Sequence, residues 1–140
     1  MISIRGLDHI VLRTNCLEAM LTFYQQHLGC QLEREESDIG LYQLRAGDHL
    51  IDLVPTDKPL GAQGGPAPGS AGHNVDHLCL TLSHFDGDAL LSYLDSAGIA
   101  HSTIERRYGA EGFGPSIYIE DPQGNRIELK GPTEAGSCLR

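Results

Sequence analysis

Basic residues are scarce in this chain of 140 residues: ten Lys and Arg stand against nineteen Asp and Glu, a formal net charge of -9. Only Arg106-Arg107 sets two of them side by side. That excludes a phosphate-tracking patch, so neither nucleic acid nor an anionic membrane is an expected partner. Long apolar runs are missing too, although 40% of the residues are hydrophobic, and no segment has the length of a membrane span. The start, Met1-Ile2-Ser3-Ile4-Arg5, lacks a basic region leading into a long apolar stretch, so the expected location is the cytoplasm. Cysteine pairs are absent as well. Cys16, Cys30, Cys79 and Cys138 are scattered without a C-x-x-C and read as reduced structural thiols, and nothing near Cys79 predicts an activated nucleophile.

What is present is a repeat. Leu7-Asp8-His9-Ile10-Val11-Leu12 is echoed by Val75-Asp76-His77-Leu78-Cys79-Leu80, and each phrase puts a histidine near the start of a strand-like run. A helix follows each. The first is predicted from a capping box at Asn15 and Glu18, through Leu17, Met20, Leu21, Tyr24 and Leu28, to a stop at Gly29. The second is predicted from Asp86 through Ala89, Leu90, Tyr93, Leu94 and Ala97 to Gly98. Strands are expected around 31–35, 40–45 and 49–54 in the first unit, and around 101–105, 116–120 and 126–130 in the second. The chain thus divides into a βαβββ module at 1–54, a Pro/Gly-rich linker or mobile flap at 55–74, a second βαβββ module at 75–131 and a loose tail at 132–140.

Each half closes on an acid between aliphatics, Ile51-Asp52-Leu53 and Ile127-Glu128-Leu129. Strand neighbours point to opposite faces, so Asp52 and Glu128 leave the aliphatic face, as do His9 and His77. An isolated strand histidine or carboxylate is ordinarily a surface or hydrogen-bonded residue. The repetition at matching places is what points to a divalent metal held by two imidazoles and one or two carboxylates.

The duplication, the Asp-His pair at each first strand, the Leu28-Gly29 helix ending and the finish Tyr118-x-x-Asp121-Pro122-x-Gly124-Asn125-x-x-Glu128 resemble the vicinal oxygen chelate superfamily. That superfamily holds glyoxalase I, fosfomycin-resistance transferases, extradiol dioxygenases and bleomycin-binding proteins. The likeness spans about Gly6 to Gly131 and implies an α+β fold of two βαβββ modules, with curled mixed sheets around a cleft. It assigns His9, His77 and Glu128 to the three shared metal ligands, and Asp52 to a fourth that is glutamate in glyoxalase I. Asp52 is a departure, its oxygens falling roughly 1 Å short of a glutamate's reach. It ligates from a closer strand, acts through water or leaves a position open. Arg13 matches a position that holds a glutathione carboxylate, and its plain reading is a strand-end arginine. Tyr118 either lines the cleft or only packs.

The implied activity is that of a metal-dependent glyoxalase-like lyase or isomerase. It uses Ni, Zn, Mn or Fe, with Glu128 as base and Asp52 sharing the proton transfer, and glutathione is a possible cosubstrate. Alternatives are a fosfomycin-type thiol transferase, a ferrous extradiol dioxygenase, and a non-enzymatic binder of an antibiotic or other small ligand. The resemblance also implies a homodimer whose modules pair within or between chains. The segment Gly109–Gly114 reads as a substrate-contacting loop or a hairpin connection.

Overall fold

In a computed structural model, residues 1–134 are described. They form two compact units, Met1–Asn74 and Val75 onward. Cys138 and most of the expected tail lie outside the described residues.

Unit 1 runs β1 (His9–Thr14), α1 (Leu17–Thr22) with a π-helical turn at Phe23–His27, β2 (Gln31–Glu36), β3 (Leu41–Ala46), β4 (His49–Pro55) and the short α2 (Pro59–Ala62). Its sheet has the order β1-β4-β3-β2, with β1 parallel to β4 and the other pairings antiparallel. Unit 2 repeats this with β5 (Leu78–Thr81), α3 (Gly87–Ser96), β6 (Glu105–Gly109), β7 (Gly112–Glu120) and β8 (Arg126–Lys130), in the order β5-β8-β7-β6. The α+β class and the duplicated mixed sheets are as expected, and neither sheet closes on itself.

The last strand of each repeat lies inside its sheet, and this decides where its acid goes. Residues 51–55 of β4 and 127–130 of β8 are all buried, so both strand faces are covered. One face supplies the core. Leu12, Leu44, Ile51 and Leu53 are buried in unit 1 together with Met20, Phe23 and Tyr24 of the helical segment. Ile117, Ile119, Ile127 and Leu129 are buried in unit 2 with Leu94 of α3. The other face carries the acids.

Several local expectations need correction. The cap position of α1 is Cys16, not Asn15: the Met20 amide donates to the Cys16 carbonyl at 3.0 Å, so the helix starts one residue later, and the Cys16 amide itself donates to the hydroxyl of the buried Thr14 at 2.9 Å. The π turn then buries the neighbours Phe23 and Tyr24 together, which strict helical spacing would separate. Gly29 (φ +72°) and Gly98 (φ +71°) end the helices as expected, in the left-handed region. Asp86 accepts the Ala89 amide at 3.1 Å, the predicted cap.

In unit 2 the strand expected at 101–105 forms at 105–109 instead. His101 makes only an isolated bridge to Ile119, because its ring is bound at both nitrogens, to Asp95 at 2.7 Å and the Ser102 carbonyl at 2.8 Å. β7 starts early, at Gly112, so Gly109–Gly114 is the closed end of the β6–β7 hairpin with Tyr108 opposite Phe113.

The Pro/Gly-rich stretch 55–74 packs with unit 1. Arg13 holds it: Nε donates to the Gly61 carbonyl (2.8 Å), Nη1 to Pro66 (3.0 Å) and Nη2 to Gly65 (2.5 Å). Asn74 brackets the Arg13 backbone from both sides, accepting from its N–H at 3.1 Å and donating to its carbonyl at 2.9 Å.

Candidate metal and substrate site

Each repeat builds the same small assembly. In unit 1 the carboxylate of Asp8 accepts a hydrogen bond from His9 Nδ1 at 2.7 Å, and His9 Nε2 stands 4.0 Å from Asp52 Oδ2. In unit 2 Asp76 accepts from His77 Nδ1 at 2.6 Å, and His77 Nε2 stands 3.4 Å from Glu128 Oε1. A carboxylate only accepts, so each contact puts the ring proton on Nδ1 and leaves Nε2 as the free ligand atom when the ring is neutral. An acid behind a histidine in this way orients the ring and raises its basicity toward a metal. The Asp8 bond holds the His9 imidazole above its ordinary range, and reciprocally lowers Asp8. Asp76 is lowered by the same contact with His77.

The acids are buried where the histidines are half-open: Asp52 is 3% exposed and Glu128 is 6% exposed. Strand register accounts for their neighbours. Val11, Asp52 and Gln43 form one row across β1, β4 and β3, and Cys79, Glu128 and Tyr118 form the matching row across β5, β8 and β7. Gln43 Nε2 donates to both Asp52 oxygens, at 3.2 and 3.3 Å. Tyr118 packs edge-on against His77, ring centres 5.5 Å apart, and carries Arg107 over its own ring at 4.5 Å. The Cys79 thiol is pushed up to about 11 by desolvation and then by the Glu128 charge, so it stays protonated. This agrees with the absence of a nucleophile signal in the sequence.

One of these distances is compatible with a shared ion. Two ligand atoms each ~2.1 Å from a tetrahedral ion stand roughly 3.4 Å apart, which matches His77 and Glu128. The His9–Asp52 separation of 4.0 Å is somewhat longer, in keeping with the missing methylene of Asp52. Among the described residues no group of three or more His, Cys, Asp or Glu side chains is arranged to hold an ion. Each unit presents a pair.

Arg13 and Tyr118, expected at the substrate, are placed differently from each other. Tyr118 touches His77, whereas the Arg13 guanidinium sits on the carbonyls of the 61–66 segment. Sequence reasoning did not assign Asp8, Asp76, Gln43 or Lys130. The two aspartates were visible as repeated Asp-His pairs, and Lys130 shares strand parity with Glu128. Gln43 had no signal short of the register.

The sequence model of the Glyoxalase/Bleomycin resistance protein/Dioxygenase superfamily matches residues 6–129. The chain belongs to this superfamily. The chain is 29% identical over 129 residues to virulence protein STM3117 of Salmonella typhimurium, covering 88% of this chain and 81% of that protein. The crystal structure of that protein superposes with a TM-score of 0.77 over 93% of this chain and 98% of that one, at 28% identity. A glyoxalase domain-containing protein of Mycosarcoma maydis, RDO1, is 30% identical over 138 residues, 96% of this chain and 72% of that protein. Lactoylglutathione lyase from Agrobacterium tumefaciens shares the fold at 18% identity, with a TM-score of 0.65 and coverage of 91% and 94%.

Proposed function

We propose that this superfamily member is a metal-dependent, glyoxalase-like enzyme that converts a small substrate bearing two neighbouring oxygens. The observation that carries the reading is the twice-built Asp–His–carboxylate assembly, Asp8-His9-Asp52 and Asp76-His77-Glu128, each with its Nε2 facing a buried acid. Membership in the superfamily and the name of the fungal relative support it. His9, His77, Glu128 and Asp52 are the proposed ligands.

A divalent metal held by these residues would supply Lewis acidity toward the vicinal oxygens and so acidify the adjacent C–H. The chain's own residues do the rest. Glu128 takes that proton on a carboxylate oxygen and returns it to the neighbouring carbon, with Asp52 sharing the transfer. Asp8 and Asp76 hold a ring proton on Nδ1 and fix each imidazole in direction, with Nε2 turned toward the buried acid. Gln43 holds the Asp52 carboxylate in one rotamer, and Tyr118 walls the His77 side.

Elemental analysis of the protein and its His77→Ala variant, each after exposure to nickel, zinc, manganese and ferrous iron, tests this. Stoichiometric metal in the first and its loss in the second is the expected result. The hemithioacetal of methylglyoxal and glutathione is then the first substrate to assay under each retained metal. A protein that takes up none of the four metals sinks the catalytic reading and leaves a small-ligand binder.

A further inference from the structure

The strand face that presents Glu128 also presents Lys130, two residues further along β8. Lys130 is 4% exposed, and among the described residues its ammonium makes no hydrogen bond and no ion pair. It lines a cavity of about 260 Å³ within unit 2, shared with His77, Cys79, Tyr108, Glu111 and Glu128. The hairpin leaves room for it: a Cβ on Gly109 would lie 3.0 Å from Lys130 Cε, and one on Gly114 would lie 3.2 Å from Nζ. Gly109 thus clears the path of the lysine, whereas a Cβ on Gly114 would first meet the carbonyl oxygens of Pro132 at 2.8 Å and Gly131 at 3.1 Å. Its stem is buried while its ammonium opens onto the cavity, and a cation facing a cavity with no hydrogen-bonded partner is a ready seat for an anionic group that arrives with the ligand.

Resting on the metal-dependent reading above, we propose that Lys130 receives a carboxylate of the substrate, which is therefore a short-chain carboxylic acid. Two arguments set the class. Two residues of strand separate Lys130 from Glu128 by about 6.6 Å, so the carboxylate lies only a few bonds from the carbon that loses its proton. Glu111 and Glu128 line the same cavity, which favours one negative charge on the ligand over the two of a phosphonate. The substrate enters with its carboxylate on Lys130 and its vicinal oxygens toward His77 and Glu128.

The test is an NMR titration of the metal-loaded, ¹⁵N-labelled protein with propionate, propionamide and ethylphosphonate. It is run on the unaltered chain, Lys130→Met and Lys130→Arg, with metal content measured for each. Propionate should shift the amides of Gly109, Ala110 and Glu111 saturably, and bind about tenfold or more weakly once Lys130→Met removes the charge. Lys130→Arg should retain most of the binding, and both variants should keep their metal. The proposal is overturned if propionamide binds as well as propionate, if Lys130→Met binds as well as the unaltered chain, or if no probe shifts those amides. Tighter binding of ethylphosphonate than of propionate overturns the assignment to a monoanion. Lys130-dependent propionate binding by a protein that holds no metal would retain the carboxylate site and reject the enzymatic reading.

Discussion

An aspartate directly ahead of a strand-leading histidine has a near partner in that histidine's Nδ1, and both repeats use it. Converting Asp76 to Asn keeps the shape and removes the charge behind the ring. Metal affinity, read by competition with a chromophoric chelator, should fall about 10- to 100-fold, with secondary structure unchanged. A second histidine offers a pH test away from the site. The backbone bond from His101 to Ser102, and then the Asp95 carboxylate, raise the His101 pKa. A raised folded-state pKa means that protonated His101 stabilises the fold below its ordinary value near ~6.5 and that this stabilisation is lost as pH rises through the folded value. The Tm gap between the protein and His101→Gln should be widest under acid conditions and narrow on the alkaline side of that window. A gap independent of pH would refute the assignment.

At the level of elements, the turn before β8 is what aims Glu128. Asp121, 4% exposed, accepts from the amides of Gln123 and Asn125 at 2.9 Å each and from Asn125 Nδ2 at 2.8 Å, while its own N–H donates to the Asn125 carbonyl at 3.0 Å. Removing that carboxylate with Asp121→Ala leaves buried donors unmatched and should cost about 2–3 kcal/mol in urea unfolding. The segment after β4 depends on one side chain in the same way. Arg13→Ala deletes three bonds to carbonyls, so amide exchange in residues 61–66 should accelerate at least several-fold, with metal content unaffected. Slow exchange retained there would mean that α2 and the Gly69–Gly72 bridge hold the segment without Arg13.

For the whole molecule, a metal that binds only the folded state adds RT ln(1 + [L]/Kd), or about 2.7 kcal/mol at a hundredfold excess over Kd. Removing it with a chelator should lower the Tm, and returning the retained metal should restore it. The same treatment of the His77→Ala protein should leave its Tm unchanged. Native mass spectrometry at varied concentration reports whether loading also shifts the chain toward a homodimer.

How much was visible in the sequence differs by kind of information. The duplicated βαβββ order, the helix stops at Gly29 and Gly98 and the Asp86 cap are set by local chemistry: side-chain period, left-handed glycine and short polar caps. The parity that puts His9, Asp52, His77 and Glu128 off the core face is local too. Asn15 sits one residue ahead of the observed cap position, Cys16, because the first helical hydrogen bond runs from the Met20 amide to the Cys16 carbonyl. The strand expected at 101–105 moved because Asp95, on a different element, claimed His101. Pairings of that sort depend on what the fold brings alongside. Gln43 reaches Asp52 only through the register of β3 on β4, and the Lys130 stem is buried only because β8 lies inside its sheet. The sequence by itself determined which residue types stand on which face. Tertiary structure alone decided which of them are buried and which are paired, because burial and pairing belong to contacts between distant strands.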